Sequence, residues 1–573
     1  MSNSSQKRSG RYGSVGSELD RILDGPSEAE LEKRGPELFP GLEDRGIGAV
    51  RETEEPEEEP EEADSDAPGE AEEDETPEER AGRGGRPADD PERGEHAEKP
   101  VRRRSKGPYR FISGAFILLF VLLIGHLVYF NINVKDDYVN STYNKNRRTK
   151  IARTISRGSI LSSDGKVLAY SETDSENNET RVYPYANVFD HVVGYVTSHD
   201  TSGIESYASG SLLTSHSNII DQVINDILGR KNKGDTVVST LDSGLQEKCY
   251  STLGDYNGAV IVLEPKTGAI RAMVSKPGFD PNTLEENWAA VSEDTASARL
   301  WNRATQGLYA PGSTFKIITS LAYYRANRTL DKFSFNCTGQ LQVGEYNAHC
   351  FEYAEHGEED FRAAFANSCN TAFSEIGLEL GADRLTGAAQ SLLFDTSLPC
   401  DIHAGRARWN LESGASQEEL VMTAFGQGKT QVTPYYMALL VSAIANDGVL
   451  MKPYLVDHVE STAGTSISKN SARAYRTVMT KDEADLLTDL MKAVVAQGSA
   501  SKLSGKSYQA AGKTGSAEYY KGDGSIGTNS WFVGFTNPDD PDLAIVVLAE
   551  NGGAGSSTAV PMAASILDYY YSR

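Results

Sequence analysis

Gly258–Glu264 (GAVIVLE), Pro265–Gly268 (PKTG) and Ala269–Ser275 (AIRAMVS) read as a strand, a turn and a returning strand. Pro265 and Gly268 supply the turn dihedrals. The far end of the chain repeats this logic. Ser530–Thr536 (SWFVGFT) is a strand, Asn537–Asp542 a loop, Leu543–Ala549 (LAIVVLA) a strand, and Val560–Tyr571 a helix. Just upstream of the first hairpin, Thr236–Thr240 is a short strand. Asp242 or Ser243 then caps a helix carrying Leu245, Cys249 and Leu253 on one side. The two ends enclose about 250 residues of mostly helical sequence. One antiparallel sheet built from both ends, with a helical insert, follows; the class is α+β.

Three short motifs inside this body carry reactive groups. Pro311-Gly312-Ser313-Thr314-Phe315-Lys316 opens an apolar helix containing Phe315, Ile318, Leu321 and Ala322. Residues i and i+3 share a helix face, so the Lys316 amine can reach the Ser313 hydroxyl. If burial or a second cation suppresses its charge, that amine can act as a base. The plainer reading of Ser313 is a helix N-cap, and S-x-x-K alone has little specificity. Ser368-Cys369-Asn370 begins another helix, Thr371–Leu380. A hydroxyl and an amide two residues apart can relay a proton and hold a substrate amide, or Ser368 can simply cap the helix. Lys513-Thr514-Gly515-Ser516 lies beside the strand Ser530–Thr536. On an edge strand, Gly515 would leave room for an extended substrate to pair, with Lys513 and Thr514 facing a carboxylate. The plainer reading is a solvent-facing lysine in a turn.

The chain has 573 residues and a formal net charge of −26, unevenly spread. Residues 1–100 hold 31 acidic and 13 basic side chains, whereas the remaining 473 hold 51 and 43. An acidic tail on a nearly balanced body leaves no domain-sized basic surface, which argues against a nucleic-acid binder. Residues 1–107, with EEPEEEPEE at Glu54–Glu62, bury too little to offset ordering entropy, and are expected to form a disordered cytoplasmic tail. Short helical pieces over 16–24 and 27–34 are the only candidates there for a docking peptide. Phe111–Ile132 contains no Asp, Glu, Lys or Arg. As a helix it is about 33 Å long, enough to cross a bilayer, so 108–133 is expected to be a transmembrane anchor. His126, inside it, is a tolerated polar group. The depth of this segment in the chain, with no small-residue cleavage site after it, disfavours a signal peptide. Arg102, Arg103, Arg104, Lys106 and Arg110 precede it, and Lys135, Asp136 and Asp137 follow it. The positive-inside rule therefore puts the tail in the cytoplasm and everything from about 133 outside, although Lys145, Arg147 and Arg148 pull weakly the other way.

The exported part divides into a polar, turn-rich region, 134–234, and the body, 235–573. All five cysteines, Cys249, Cys337, Cys350, Cys369 and Cys400, lie in the body. Cys337 and Cys350 bracket 12 residues of loop-like sequence, where a disulfide and free thiols are equally open. No CxxC occurs, and His349 and His356 are the only nearby imidazoles, so the spacing does not resemble a zinc site.

Taken together, S-x-x-K, S-x-N and K-T-G in this order form the signature of serine enzymes acting on D-alanyl peptides and β-lactams. The sequence resembles a class B penicillin-binding protein, a monofunctional peptidoglycan D,D-transpeptidase. The likeness covers the membrane anchor and nearly everything from about 150 to 573. Asn302–Gly307 running into Tyr309, Gly426-Gln427-Gly428 followed by Val432-Thr433-Pro434, and Asn446-Asp447-Gly448 are similar to that family's blocks. So are Arg157-Gly158-Ser159-Ile160, Asp164-Gly165, Val192–Tyr195 and Gly203-Ile204-Glu205. Ser516 stands where threonine is common, and Ala310 where proline is common. No glycosyltransferase domain precedes the pedestal, which disfavours the bifunctional class.

The resemblance implies a serine transpeptidase domain of the penicillin-binding/β-lactamase-like fold, with a five-stranded antiparallel sheet, behind a pedestal and one membrane helix. It implies that Ser313 attacks the penultimate D-Ala carbonyl of a stem peptide and that Lys316 takes the hydroxyl proton. Ser368 relays a proton to the leaving amine, Lys513 tunes it, and Asn370 orients Lys316 and the substrate amide. Backbone N–H groups of Ser313 and Ser516 form an oxyanion hole, Gly515 lies in the substrate-pairing strand, and Thr514 and Ser516 hold the terminal carboxylate. No metal or organic cofactor is needed. β-Lactams acylate Ser313, and a polytopic SEDS-family glycosyltransferase is the implied membrane partner. The rival readings are a D,D-carboxypeptidase or β-lactamase-type hydrolase, a β-lactam sensor, and a non-enzymatic cell-wall scaffold.

Overall fold

A computed structural model describes residues 107–133 and 152–573 except 523. The acidic tail with its two helical pieces, the basic residues 102–106, and the charged residues at 135–148 lie outside the described residues. Helix α1 (Gly107–Asn133) contains the apolar span Phe111–Phe130, long enough to cross a membrane, and none of that span is buried.

The main sheet comprises β1 (Gly258–Leu263), β2 (Ile270–Lys276), β3 (Ala510–Tyr520), β4 (Ile526–Thr536) and β5 (Ala544–Ala549), in the order β3-β4-β5-β1-β2. Every neighbouring pair is antiparallel. β1 and β5 are buried at every position, which requires cover on both faces of the sheet. That cover comes from helices α2 (Ser243–Leu253), α5 (Pro434–Ala445), α6 (Lys481–Gln497) and α7 (Ala559–Tyr571), while α3 (Lys316–Asn327) and α4 (Asn370–Ser391) pack on each other. Asp242 caps α2 by accepting the Leu245 N–H, and α2 and α7 pack on each other and on the sheet. Helix α5 is apolar all round and buried at every residue, packed against β1, β4 and β5. β3 is left as an edge strand, running beside the turn that precedes α3.

The insert is not purely helical. It holds the hairpin Gln340–Val343/Tyr346–His349, the pair Ser334–Cys337/Gly357–Asp360, and strands at Val449–Met451, Val456–Glu460, Ser466–Lys469 and Ala474–Thr477. These strands are three to five residues long and mostly half-exposed. Some of these pairings are decided by partners elsewhere in the chain, which local periodicity does not report. A second sheet illustrates this. Val456–Glu460 pairs with Thr236–Ser239, which runs parallel to Ile160–Leu161, and beyond that lie Val167–Thr173 and Glu179–Val182. Hydrogen bonding therefore continues across position 234, and Ile160, Leu168 and Val192 belong to the same core as the main sheet.

The turn-rich region before the body is fastened by charge. The Glu205 carboxylate accepts from Arg157 Nε at 2.5 Å and Arg181 Nε at 2.7 Å, and all three side chains are at most 8 % exposed. Burial alone would raise the Glu205 carboxyl, but the two guanidinium groups hold it below the usual carboxylate range. Truncating one member of a buried network leaves uncompensated charge. Glu205→Ala is expected to lose about 3–5 kcal/mol of stability, read as a large fall in the thermal midpoint of the purified protein. An unchanged midpoint would show that the three charges are dispensable.

Candidate active site

Ser313 sits in a 3-10 turn, Gly312–Phe315, and Lys316 is the first residue of α3. The i, i+3 spacing survives, but Ser313 is in the tight turn and makes no side-chain cap. The turn is held from both sides. Gly426 has φ +90°, and a Cβ there would lie 1.8 Å from the Gly312 carbonyl oxygen. On the sheet side, a Cβ on Gly515 would meet Thr314 Cγ2 at 3.0 Å and Pro311 O at 3.1 Å. A side chain at 515 would therefore strike the Ser313 turn. The need for glycine at 515 is close packing of edge strand on turn.

Ser368 is not the cap of α4; that position belongs to Cys369, whose sulfur accepts the Ala372 N–H at 3.4 Å. Ser368 has φ +58°, a left-handed conformation rare for a side chain with Cβ, which costs on the order of 1–3 kcal/mol. That conformation turns both of its oxygens toward the lysines. Lys316 Nζ donates to Ser368 O at 2.6 Å, to Asn370 Oδ1 at 2.7 Å and to Ser368 Oγ at 3.2 Å. Lys513 Nζ donates to the same Ser368 Oγ at 2.8 Å and to Thr514 O at 3.2 Å. Asn370 is fixed in turn by donating its Nδ2 to His349 O at 2.9 Å.

Both lysines are fully buried. Burial lowers Lys316 to about 8. Burial and then the charge of Lys316 hold Lys513 well below the ordinary lysine value. A neutral Lys316 keeps two N–H donors, enough for Ser368 O and Asn370 Oδ1. Its lone pair is then free to accept a hydroxyl proton. Phe373 and Phe365 place their rings 5.3 Å and 5.6 Å from the Lys316 and Lys513 amines.

Ser313, Ser368, Asn370, Thr514, Gly515 and Ser516 line one cleft of about 390 Å³. All the residues named from the three motifs therefore converge: six on the cleft wall and two lysines behind it. Thr514 Oγ1 bonds Ser499 Oγ at 2.5 Å, and Ser516 Oγ accepts the Gly555 N–H at 3.1 Å. The sequence reading did not single out Tyr346, His349 or Glu518, which also line the cleft; no local motif marks them. Gln427, another lining residue, lies in the quoted Gly426-Gln427-Gly428 block and was legible there. The Asn302–Gly307 block supports the site from below. Arg303 pairs with Glu550 at 2.8 Å, and Tyr309 donates to the same carboxylate at 2.8 Å.

Comparison with known proteins agrees with this geometry. The family described as "Penicillin binding protein transpeptidase domain" matches residues 258–568, and "Penicillin binding protein A dimerisation domain" matches 157–237. The chain belongs to the penicillin-binding protein transpeptidases. Among its relatives is the peptidoglycan D,D-transpeptidase PbpA of Mycolicibacterium smegmatis, 31 % identical over 481 residues, 79 % of this chain and 96 % of that protein. Among solved structures, the D,D-transpeptidase domain of a peptidoglycan glycosyltransferase from Eggerthella lenta aligns with a TM-score of 0.66 at 30 % identity, covering 73 % of this chain and 99 % of that one. The ceftriaxone acyl-enzyme complex of penicillin-binding protein A from M. tuberculosis aligns with a TM-score of 0.66 at 28 % identity, covering 74 % and 99 %.

Proposed function

We propose that this protein is a serine-type peptidoglycan D,D-transpeptidase that cross-links stem peptides through an acyl-enzyme on Ser313. The observation that carries this reading is the convergence of two buried lysines on one hydroxyl, Ser368 Oγ, behind a cleft that holds Ser313. Ser313 Oγ attacks the carbonyl carbon of the penultimate D-Ala, and its proton passes to Lys316. Backbone N–H groups of Ser313 and Ser516 take the charge on the carbonyl oxygen. The C–N bond breaks, Ser368 hands a proton to the departing D-Ala amine with Lys513 behind it, and Thr514 and Ser516 hold the terminal carboxylate. The amine of a second stem peptide then displaces Ser313 and completes the cross-link. A β-lactam stops at the acyl-enzyme, and no step calls on a metal or organic cofactor.

The chain is anchored by residues 108–133 as a single-pass membrane protein, with residues 1–107 in the cytoplasm and the catalytic body outside. The charge asymmetry of the residues flanking the span supports this orientation. A polytopic SEDS-family glycosyltransferase meets the membrane helix and pedestal. The pedestal helix Ile219–Ile227 supports such an encounter, since Ile219, Ile220, Val223 and Ile227 are all exposed.

Ser313→Ala is expected to abolish labelling by a fluorescent penicillin. Equal labelling of the two proteins would overturn the nucleophile assignment. With nascent peptidoglycan as substrate, cross-linked dimers are the expected product; trimmed monomeric stems alone would make the protein a hydrolase. Penicillin acylation is also expected to follow the neutral fraction of Lys316, whose pKa is lowered to about 8. The rate should rise about tenfold per pH unit below that value and flatten above it. A flat profile between pH 6 and 8 would remove Lys316 as the base.

A further inference from the structure

The described residues hold a second depression, of about 650 Å³, larger than the cleft. Its wall includes Trp301, Leu308, Arg406 and Arg408, none of which lines the cleft that holds Ser313. Trp301 is 52 % exposed, a large ring left in solvent. Arg406 and Arg408 are exposed as well. Among the described residues neither guanidinium has an ion-pair or hydrogen-bond partner. Residues 101–573 hold 51 acidic and 43 basic side chains, so two unpaired arginines side by side are not a by-product of a basic surface. The one carboxylate among the lining residues, Asp395, accepts the Trp409 N–H at 3.2 Å.

The backbone beneath the arginines is held from several sides. Gly405 N–H donates to Thr305 O at 2.8 Å, Arg408 N–H to Gln431 O at 2.8 Å, and Asp395 N–H to Ala407 O at 2.9 Å. Ala407 is buried between the two exposed arginines, so the segment alternates out, in, out. Residues two apart in an extended segment lie on one side, about 6.6–6.8 Å from each other. The two guanidinium groups therefore leave a fixed base on the same side.

We propose that this depression is a second docking site for the substrate polymer: a peptidoglycan strand with uncross-linked stem peptides, its stem carboxylates on Arg406 and Arg408 and a sugar face on Trp301. The proposal rests on the transpeptidase reading of the Ser313 cleft. The chemistry of the wall selects this ligand. A guanidinium presents a planar fork of N–H donors that matches the two oxygens of a carboxylate, and an uncross-linked stem ends in a carboxylate. The C–H face of a sugar ring is flat and weakly polar, and an exposed indole offers it a flat apolar surface with an N–H at the edge.

The position gives the site its use. Trp409, next to Arg408, stacks on Phe315 of the Ser313 turn, with centroids 5.9 Å apart and planes at 18°. Leu308, on the wall, precedes Ser313 by five residues, so at most about 18 Å of chain separates them. An extended stem of about five residues spans the same length. A strand held by one stem on the arginines keeps a neighbouring stem within reach of Ser313. The second contact is then intramolecular, which raises the affinity for polymer without any part in the chemistry.

The test uses full-length protein in detergent, its cleft blocked by penicillin, and uncross-linked glycan strands with intact stems. The blocked wild type is expected to bind the strands. Trp301→Ala is expected to bind them more weakly, and Arg406→Glu/Arg408→Glu at least about tenfold more weakly. Strands stripped of their stems by an amidase should lose binding to the wild type. In turnover, the double variant is expected to raise KM for strands about tenfold, with kcat, penicillin labelling and the thermal midpoint unchanged. No binding by the blocked wild type, equal binding by either variant, equal binding of stripped strands, a fall in kcat with KM unchanged, or tighter binding of a phosphate-rich wall polymer would each overturn the site. A wild type that takes no penicillin would instead overturn the reading of the Ser313 cleft, and this site with it.

Discussion

Two fully buried lysines share one serine hydroxyl, and the rest of the structure serves that arrangement. Neither amine has a carboxylate hydrogen-bonded to it, and each is set against an aromatic ring, so burial works against both charges at once. Such a pair persists only if its surroundings over-determine it. The edge strand β3 delivers Lys513, the first turn of α3 delivers Lys316, and the left-handed Ser368 at the head of α4 turns its oxygens toward both. The strain at Ser368 is held by three hydrogen bonds from two amines on two different elements. Removing any one element leaves buried polar atoms unpaired, which is why sheet, turn and helix must be assembled from sequence positions about 200 residues apart.

Much of this was readable in advance, for identifiable reasons. β1, β2, β4 and β5 are long apolar runs punctuated by Pro and Gly, so their pattern reports their fate. The reactive residues Ser313, Lys316, Ser368, Asn370, Lys513, Thr514, Gly515 and Ser516 announce themselves as three motifs in a fixed order. The short strands of the insert, such as Val456–Glu460, were hidden because their partners lie in distant segments. Gly515 was marked for substrate room on an edge strand, and its missing Cβ also makes room for Thr314 and Pro311. The proximity of Cys337, Cys350, His356 and Cys369 was not legible because a hairpin and a helix cap bring them together in space, which spacing along the chain does not report.

Most of the acidic excess belongs to the first hundred residues, outside the described part of the chain. The rest of the chain is close to charge balance, and its decisive charges are few: Glu205 with Arg157 and Arg181, Glu550 with Arg303 beside the cleft, and the two lysines at Ser368. The second sheet joins strands from both sides of residue 234, so the pedestal is not a freely hinged module. Ile160, Leu168 and Val192 belong to the same core as the main sheet.

The central claim is that burial makes Lys316 a base that works near neutral pH. Carbon-13 labelling at the lysine ε-position, with the Lys316 resonance assigned by its loss in Lys316→Ala, measures this directly. The account predicts a resonance titrating near pH 8, apart from the exposed lysines. A Lys316 resonance titrating with them, at the ordinary value of 10.5, would contradict it.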